Sequence, residues 1–81
     1  MFSNMEINDF IKNFVDQFDD LEVAEVKPES IIRDFDEWSS MIGLSLLNMA
    51  EKCYGVQLTF DELKHAITVQ NLFDTIANKQ K

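Results

Sequence analysis

The stretch Ser39-Ser40-Met41-Ile42-Gly43-Leu44-Ser45-Leu46-Leu47-Asn48-Met49-Ala50-Glu51-Lys52-Cys53-Tyr54-Gly55 decides how this chain folds. Its apolar residues between Met41 and Tyr54 recur at helical intervals and cover more than one face. They predict a helix over 40–54, the most enclosed in the protein. Ser39 is a favourable N-cap, and Gly55 suits the left-handed residue that ends a helix. The first turn is less orderly. Gly43 there costs about 1 kcal/mol relative to alanine, and with Ser39 as cap the third helical position is Ile42, where a capping box needs Glu or Gln. Such local inconsistency is expected where function competes with stability. A first turn also presents free N–H groups and a partial positive charge, so a phosphate ester on Ser40 would be stabilised there, with Gly43 leaving space beside it. As structure alone, Ser39 is a plain cap and Ser40 an incidental small residue.

Three more helices flank this one. Ile7, Phe10, Ile11, Phe14 and Val15 fill one face of a helix predicted over 4–18, started by a Ser3–Glu6 capping box with Phe2 and Ile7 as its hydrophobic staple. Downstream, a Thr59–Glu62 box with a Leu58–Leu63 staple opens a helix over 60–66. Thr68 caps a last helix over 69–78, with Ile67 and Leu72 as staple and Val69, Leu72, Phe73, Ile76 and Ala77 on its apolar face. Val56-Gln57-Leu58 reads as locally extended. Between the first two helices, roughly 19–38, the chain is acidic, contains Pro28 and shows no sustained period. A connection of that length must pack on the core or work at a site. Leu21, Val23, Val26, Ile31, Ile32, Phe35 and Trp38 supply the apolar surface to pin it. The expected fold is all-α: one domain over 1–81, a small four-helix bundle with a long structured loop between its first two helices.

Composition narrows the function. Of the 81 residues 46% are hydrophobic, enough for one packed core. The longest apolar run falls well short of the roughly 20 residues that span a bilayer. No basic segment followed by an apolar one opens the chain, as a secretory signal would. With a single cysteine there is no internal disulfide and no thiolate-rich zinc site, so a reduced, cytoplasmic monomer is expected. The net charge of −8 is unevenly spread: residues 1–40 hold eleven acidic and three basic residues, and residues 41–81 four of each. Such a field repels nucleic acid and anionic lipid and attracts basic protein surfaces, although a solvated, solubilising face would look the same.

Nothing in the chain assembles a catalytic centre. His65, the sole histidine, falls on a short polar helix and reads as a surface residue. Cys53 lies on the apolar helix and reads as buried packing. Asp34-Phe35-Asp36 opens like a calcium loop, but Ser39 and Ser45 stand where that loop needs glycine and glutamate. With two glycines in the whole chain, there is no phosphate-binding loop. Neither catalytic residues nor metal ligands are expected, and the protein is not read as an enzyme.

The chain resembles the acyl carrier proteins of the phosphopantetheine-binding family over nearly its whole length. The family opens its second helix with Asp-Ser-Leu or Asp-Ser-Met, and Ser39-Ser40-Met41 stands here. Fourteen positions after the modified serine the family has an aromatic residue and a short extended loop, matched by Tyr54-Gly55-Val56-Gln57-Leu58. The start of the third helix at Thr59 and the run Ile67-Thr68-Val69-Gln70-Asn71-Leu72 also resemble the family. The resemblance implies a 4′-phosphopantetheine cofactor joined covalently to Ser40, flanked by Ser39, Met41 and Gly43. A phosphopantetheinyl transferase would install it, and ligases or synthases with basic docking surfaces would load and use it. It further implies that Leu44, Leu47, Phe35, Ala66 and Ile67 line a shelter for the acyl chain. Asp34, Asp36, Glu37, Trp38, Met41, Leu44 and Glu51 would meet partners.

Departures from the pattern point to a specialised carrier with dedicated partners. Ser39 replaces the usual aspartate, and Ile42 and Ser45 occupy positions where fatty-acid carriers place recognition acids. Glu51 keeps one, and the other acids gather upstream of the helix. An aminoacyl or peptidyl carrier, or an acidic helical interaction module whose Ser40 is never modified, are the alternatives.

Overall fold

A computed structural model describes residues 6–80. Within them the chain forms α1 (Ile7–Val15), α2 (Ser40–Tyr54), α3 (Phe60–His65) and α4 (Val69–Lys79), with two short 3₁₀ turns at Val23–Glu25 and Ile32–Asp34. The described residues are all-α, their only β pairing an isolated antiparallel bridge between Ile31 and Thr68. Among them no helix is long and apolar enough to cross a membrane.

Phe10 and Phe14 of α1 are fully buried, with Ile11 and Val15 beside them. The Phe10 ring meets Phe14, Tyr54 and Phe73 at centroid distances of 6.3, 6.0 and 5.5 Å. These tilted and edge-on contacts join α1, α2 and α4. Tyr54 adds polar ties: its hydroxyl accepts from Asn13 Nδ2 (2.9 Å) and its carbonyl from Gln80 Nε2 (3.0 Å). Partial burial raises the Tyr54 pKa above its ordinary value, against the opposing pull of the Asn13 hydrogen bond.

α1 is shorter than the 4–18 predicted. Glu6 is the extended residue before it (φ −114°, ψ 138°) and makes no side-chain cap, so it does not occupy the third position of a capping box. Ser3 and Phe2 lie outside the described residues. At the other end the chain leaves the helix after Val15. Gln17 and Phe18 bond back to Phe14 and Val15 in tighter turns. The N–H groups of Asp19 and Asp20, which a continuing helix would have bonded to carbonyls one turn back, donate instead to the two carboxylate oxygens of Glu37 (2.6 and 2.8 Å).

The long connection is laced to the α3–α4 junction. Ile32 N–H donates to Ile67 C=O (3.0 Å), Val69 N–H to Ser30 C=O (3.0 Å) and Gln70 N–H to Pro28 C=O (2.8 Å). Val26 and Ile32 are the buried pins, with Leu21, Phe35 and Trp38 half-buried against the core. Val23 and Ile31, expected among the pins, are exposed. Ile31 sits at the bridge, where its backbone is fixed and its side chain is left outside the core.

The last two helices start as their sequences predict. Thr59 Oγ1 accepts from Glu62 N–H and Glu62 returns a carboxylate oxygen to Thr59 N–H (3.2 and 2.9 Å), above a buried Leu58–Leu63 pair. Thr68 caps α4 in a box that the sequence reading missed: Asn71 Oδ1 accepts from both Thr68 N–H and Ile67 N–H (3.1 and 3.2 Å). Ile67 is 55% exposed, so the predicted staple with buried Leu72 does not form. Val56 and Leu58 are buried in a segment without regular structure.

Gly55 ends α2 at φ 66°, ψ 28°, and nothing lies within 4 Å of an added Cβ. Gly55→Ala therefore isolates backbone strain, with an expected loss of roughly 1–2 kcal/mol in denaturant unfolding. Glu62 also accepts from Lys79 Nζ at 2.8 Å. That contact first, and the Thr59 N–H second, hold its carboxyl below the ordinary value of 4.5. A carboxyl lowered by folding stabilises above its unfolded value and loses that contribution as pH falls through its folded one. The stability gap between parent and Glu62→Gln should thus hold at neutral pH and close as pH drops below 4.5, small because the pair is solvent-washed.

Candidate functional site

Ser40 is the first residue of the 15-residue helix α2 and is exposed. Ser39, extended at φ −160°, caps the helix by accepting the Ile42 N–H at 3.3 Å, as its sequence position predicts. The first turn of α2 contains no acidic residue, so nothing there offsets the positive end of the helix. Ser40 opens onto a groove of about 370 Å³ shared with Arg33, Trp38, Phe60, Asp61, Leu63 and Lys64.

Gly43 has a different role from the one its position suggested. A Cβ there would meet Leu63 Cδ2 and Phe60 Cε1 at 3.3 Å and the Trp38 ring at 3.5 Å. The space beside Gly43 is therefore filled by α3 and Trp38 packing close on α2, and it is not left open for a phosphate. Close approach is what the helix gains for the propensity it gives up.

α2 is also less enclosed than predicted. Gly43, Leu46, Met49 and Ala50 are buried, but Met41 is 77% and Leu44 52% exposed. Cys53 is exposed as well, not buried as expected. Phe10 and Asn13 meet the last turn at Tyr54, and Cys53 is left on its open side. His65 is on the surface as expected, its Nδ1 within 2.8 Å of the Asp61 carbonyl.

The residues that the resemblance assigns to partner contact fall into three places. Asp34, Asp36 and Glu37 line a concavity of about 380 Å³ with Asp20, Glu25 and a floor of Phe18, Leu21 and Phe35. Glu37 is committed to the Asp19 and Asp20 amides there and serves as a structural clasp. Trp38 belongs to the Ser40 groove. Met41 and Leu44 stand out from α2, and Glu51 is exposed near its far end. Of the residues that the resemblance gives to an acyl shelter, Ala66 is buried, Leu47 and Phe35 are half-buried, and Leu44 and Ile67 face solvent.

Sequence reasoning missed Arg33, Phe60, Asp61 and Lys64 as neighbours of Ser40. The one available signal was Gly43, since a small residue one turn into a helix marks a close approach. What approaches follows only from the lacing of the loop and the placing of α3.

Substitutions at Gly43 report this packing. Gly43→Ala should stay within about 1 kcal/mol of the parent, because the helix-propensity gain opposes the crowding of Leu63 and Phe60. Gly43→Leu should lose about 1–3 kcal/mol in thermal or urea unfolding, as overpacked sites do. Compared with known proteins, the chain matches no family model, no curated protein and no solved structure.

Proposed function

We propose that the protein is an acyl carrier in which Ser40 bears a 4′-phosphopantetheine arm through a phosphodiester. One observation carries the reading: Ser40 is an exposed hydroxyl at the tip of a long helix, opening onto a groove. The residues around it fit the group. A phosphate there would meet the positive end of α2 with no first-turn carboxylate to repel it, and Arg33 and Lys64 share its groove. The acyl-carrier-like bundle that the resemblance implies is compatible with the four helices, the laced connection and the core position of Tyr54.

In the attachment step the Ser40 oxygen forms the new bond to the pantetheine-side phosphorus of coenzyme A. The diphosphate linkage breaks, the nucleotide half leaves, and the hydroxyl proton passes to a base of the transferase. Ser40 is thus an attachment point and takes no part in turnover. When bound, the arm supplies a thiol that holds acyl groups as thioesters. Tethering raises the effective concentration of that cargo at each partner's active site. Exposed Met41 and Leu44 beside Ser40, with the acids at Asp34 and Asp36, suit enzymes that combine an apolar contact with a basic rim.

Intact mass after co-expression with a phosphopantetheinyl transferase tests the proposal. The parent should gain the mass of one arm, Ser40→Ala should gain none, and Ser39→Ala should keep the gain while losing about 1 kcal/mol with its cap. A parent that stays unmodified refutes the carrier and leaves the acidic interaction module. A gain that persists in Ser40→Ala moves the attachment elsewhere.

A further inference from the structure

Arg33 is the anomaly of the Ser40 groove. Its guanidinium carbon lies 5.8 Å from the centroid of the Trp38 ring, and Nη2 donates to the Lys64 carbonyl at 2.9 Å. A guanidinium has several further N–H donors in a planar fork. The chain carries fifteen carboxylates, yet among the described residues the one ion pair joins Lys79 to Glu62. Arg33 and Lys64 both line the groove and pair with no carboxylate among the described residues. Asp61 lines it too and pairs with neither, so two cations face one acid. In a protein of net charge −8 this wall carries a surplus of positive charge.

The position of Arg33 is built. The bond to the Lys64 carbonyl, with the Trp38 ring 5.8 Å away, already holds the side chain over the groove, so an added anion costs less ordering than it would at a free arginine. We infer that Arg33 and Lys64 form an anion-binding wall that receives the phosphodiester on Ser40 and directs the first part of the arm along Trp38 and Phe60. This rests on the carrier reading of Ser40 and adds to it. The arm is docked on its carrier, and partners compete with the groove for it. The phosphate is the anion concerned because it is bonded to Ser40 itself, which shares the groove with both cations.

Trp38 is the only tryptophan and serves as the reporter. Unmodified and modified protein, identified by intact mass, are compared by acrylamide quenching of its fluorescence, each variant against its own unmodified form. Modification of the parent should lower the quenching constant by roughly half, because a surface ion pair is weak enough to leave docked and undocked arms comparably populated. That protection should vanish in Arg33→Gln and at about 1 M salt. It should weaken in Lys64→Gln, which spares the carbonyl that anchors Arg33. Equal quenching before and after modification overturns the docking and leaves the carrier intact. Protection that survives both substitutions and salt overturns the cationic wall. Absence of any mass gain overturns the carrier reading, and this inference with it.

Discussion

Three backbone hydrogen bonds between residues 28–32 and 67–70 govern where everything else can sit. They fasten an acidic connection, with Pro28 within it, to the turn between α3 and α4. Ordering backbone costs about 1–2 kcal/mol per residue, and the connection's internal backbone bonds are all local, in its two 3₁₀ turns and the turns at Ser30 and Trp38. Burial of Val26 and Ile32 supplies the rest of the hold. Because the connection is fixed at Ile32, the next residues are fixed in turn: Arg33 reaches the Lys64 carbonyl, Trp38 lies against Gly43, and Ser39 arrives extended at the start of α2. The site is downstream of the lacing.

Electrostatics divides the surface on the same plan. Five acids of the first half, Asp20, Glu25, Asp34, Asp36 and Glu37, line a concavity floored by Phe18, Leu21 and Phe35, and Glu37 is spent on the Asp19 and Asp20 amides. Across Trp38 the character changes, and Arg33 and Lys64 line the groove at Ser40. A negative protein therefore keeps two cations in the groove next to the exposed tip of its longest described helix. On the carrier reading, placing the two regions apart separates the surface offered to basic partners from the one offered to the arm's phosphate.

Much of the fold was legible because its signals are local. The caps at Ser39, Thr59 and Thr68 and the left-handed Gly55 depend on residues within one turn of each other, and all are found. The errors arose where local signals met tertiary facts. α1 ends early as the chain tightens into turns at Gln17 and Phe18, and Glu37, far along the chain, takes the Asp19 and Asp20 amides beyond them. Cys53 and Leu44 sit at helical positions that periodicity cannot assign to core or solvent without knowing which neighbours cover them. Gly43 is conspicuous in the sequence, but its physical reason lies in Phe60 and Leu63, which sequence order does not bring near it, and not in room for a phosphate. The serine could be read from the sequence; the walls beside it could not.

α3 has six residues, too few to persist as a helix in isolation. It exists because Thr59 and Glu62 close its first turn, Lys79 ties Glu62 to α4, and Leu63 is buried against Gly43. By contrast α1, α2 and α4 share the Phe10–Tyr54–Phe73 cluster. Native proteins open in units ranked by such support. The wall of the groove made by Phe60, Asp61 and Lys64 thus belongs to the shortest described helix, while Ser40 stands on the longest. A docking enzyme could peel that wall aside and leave the hydroxyl's platform undisturbed.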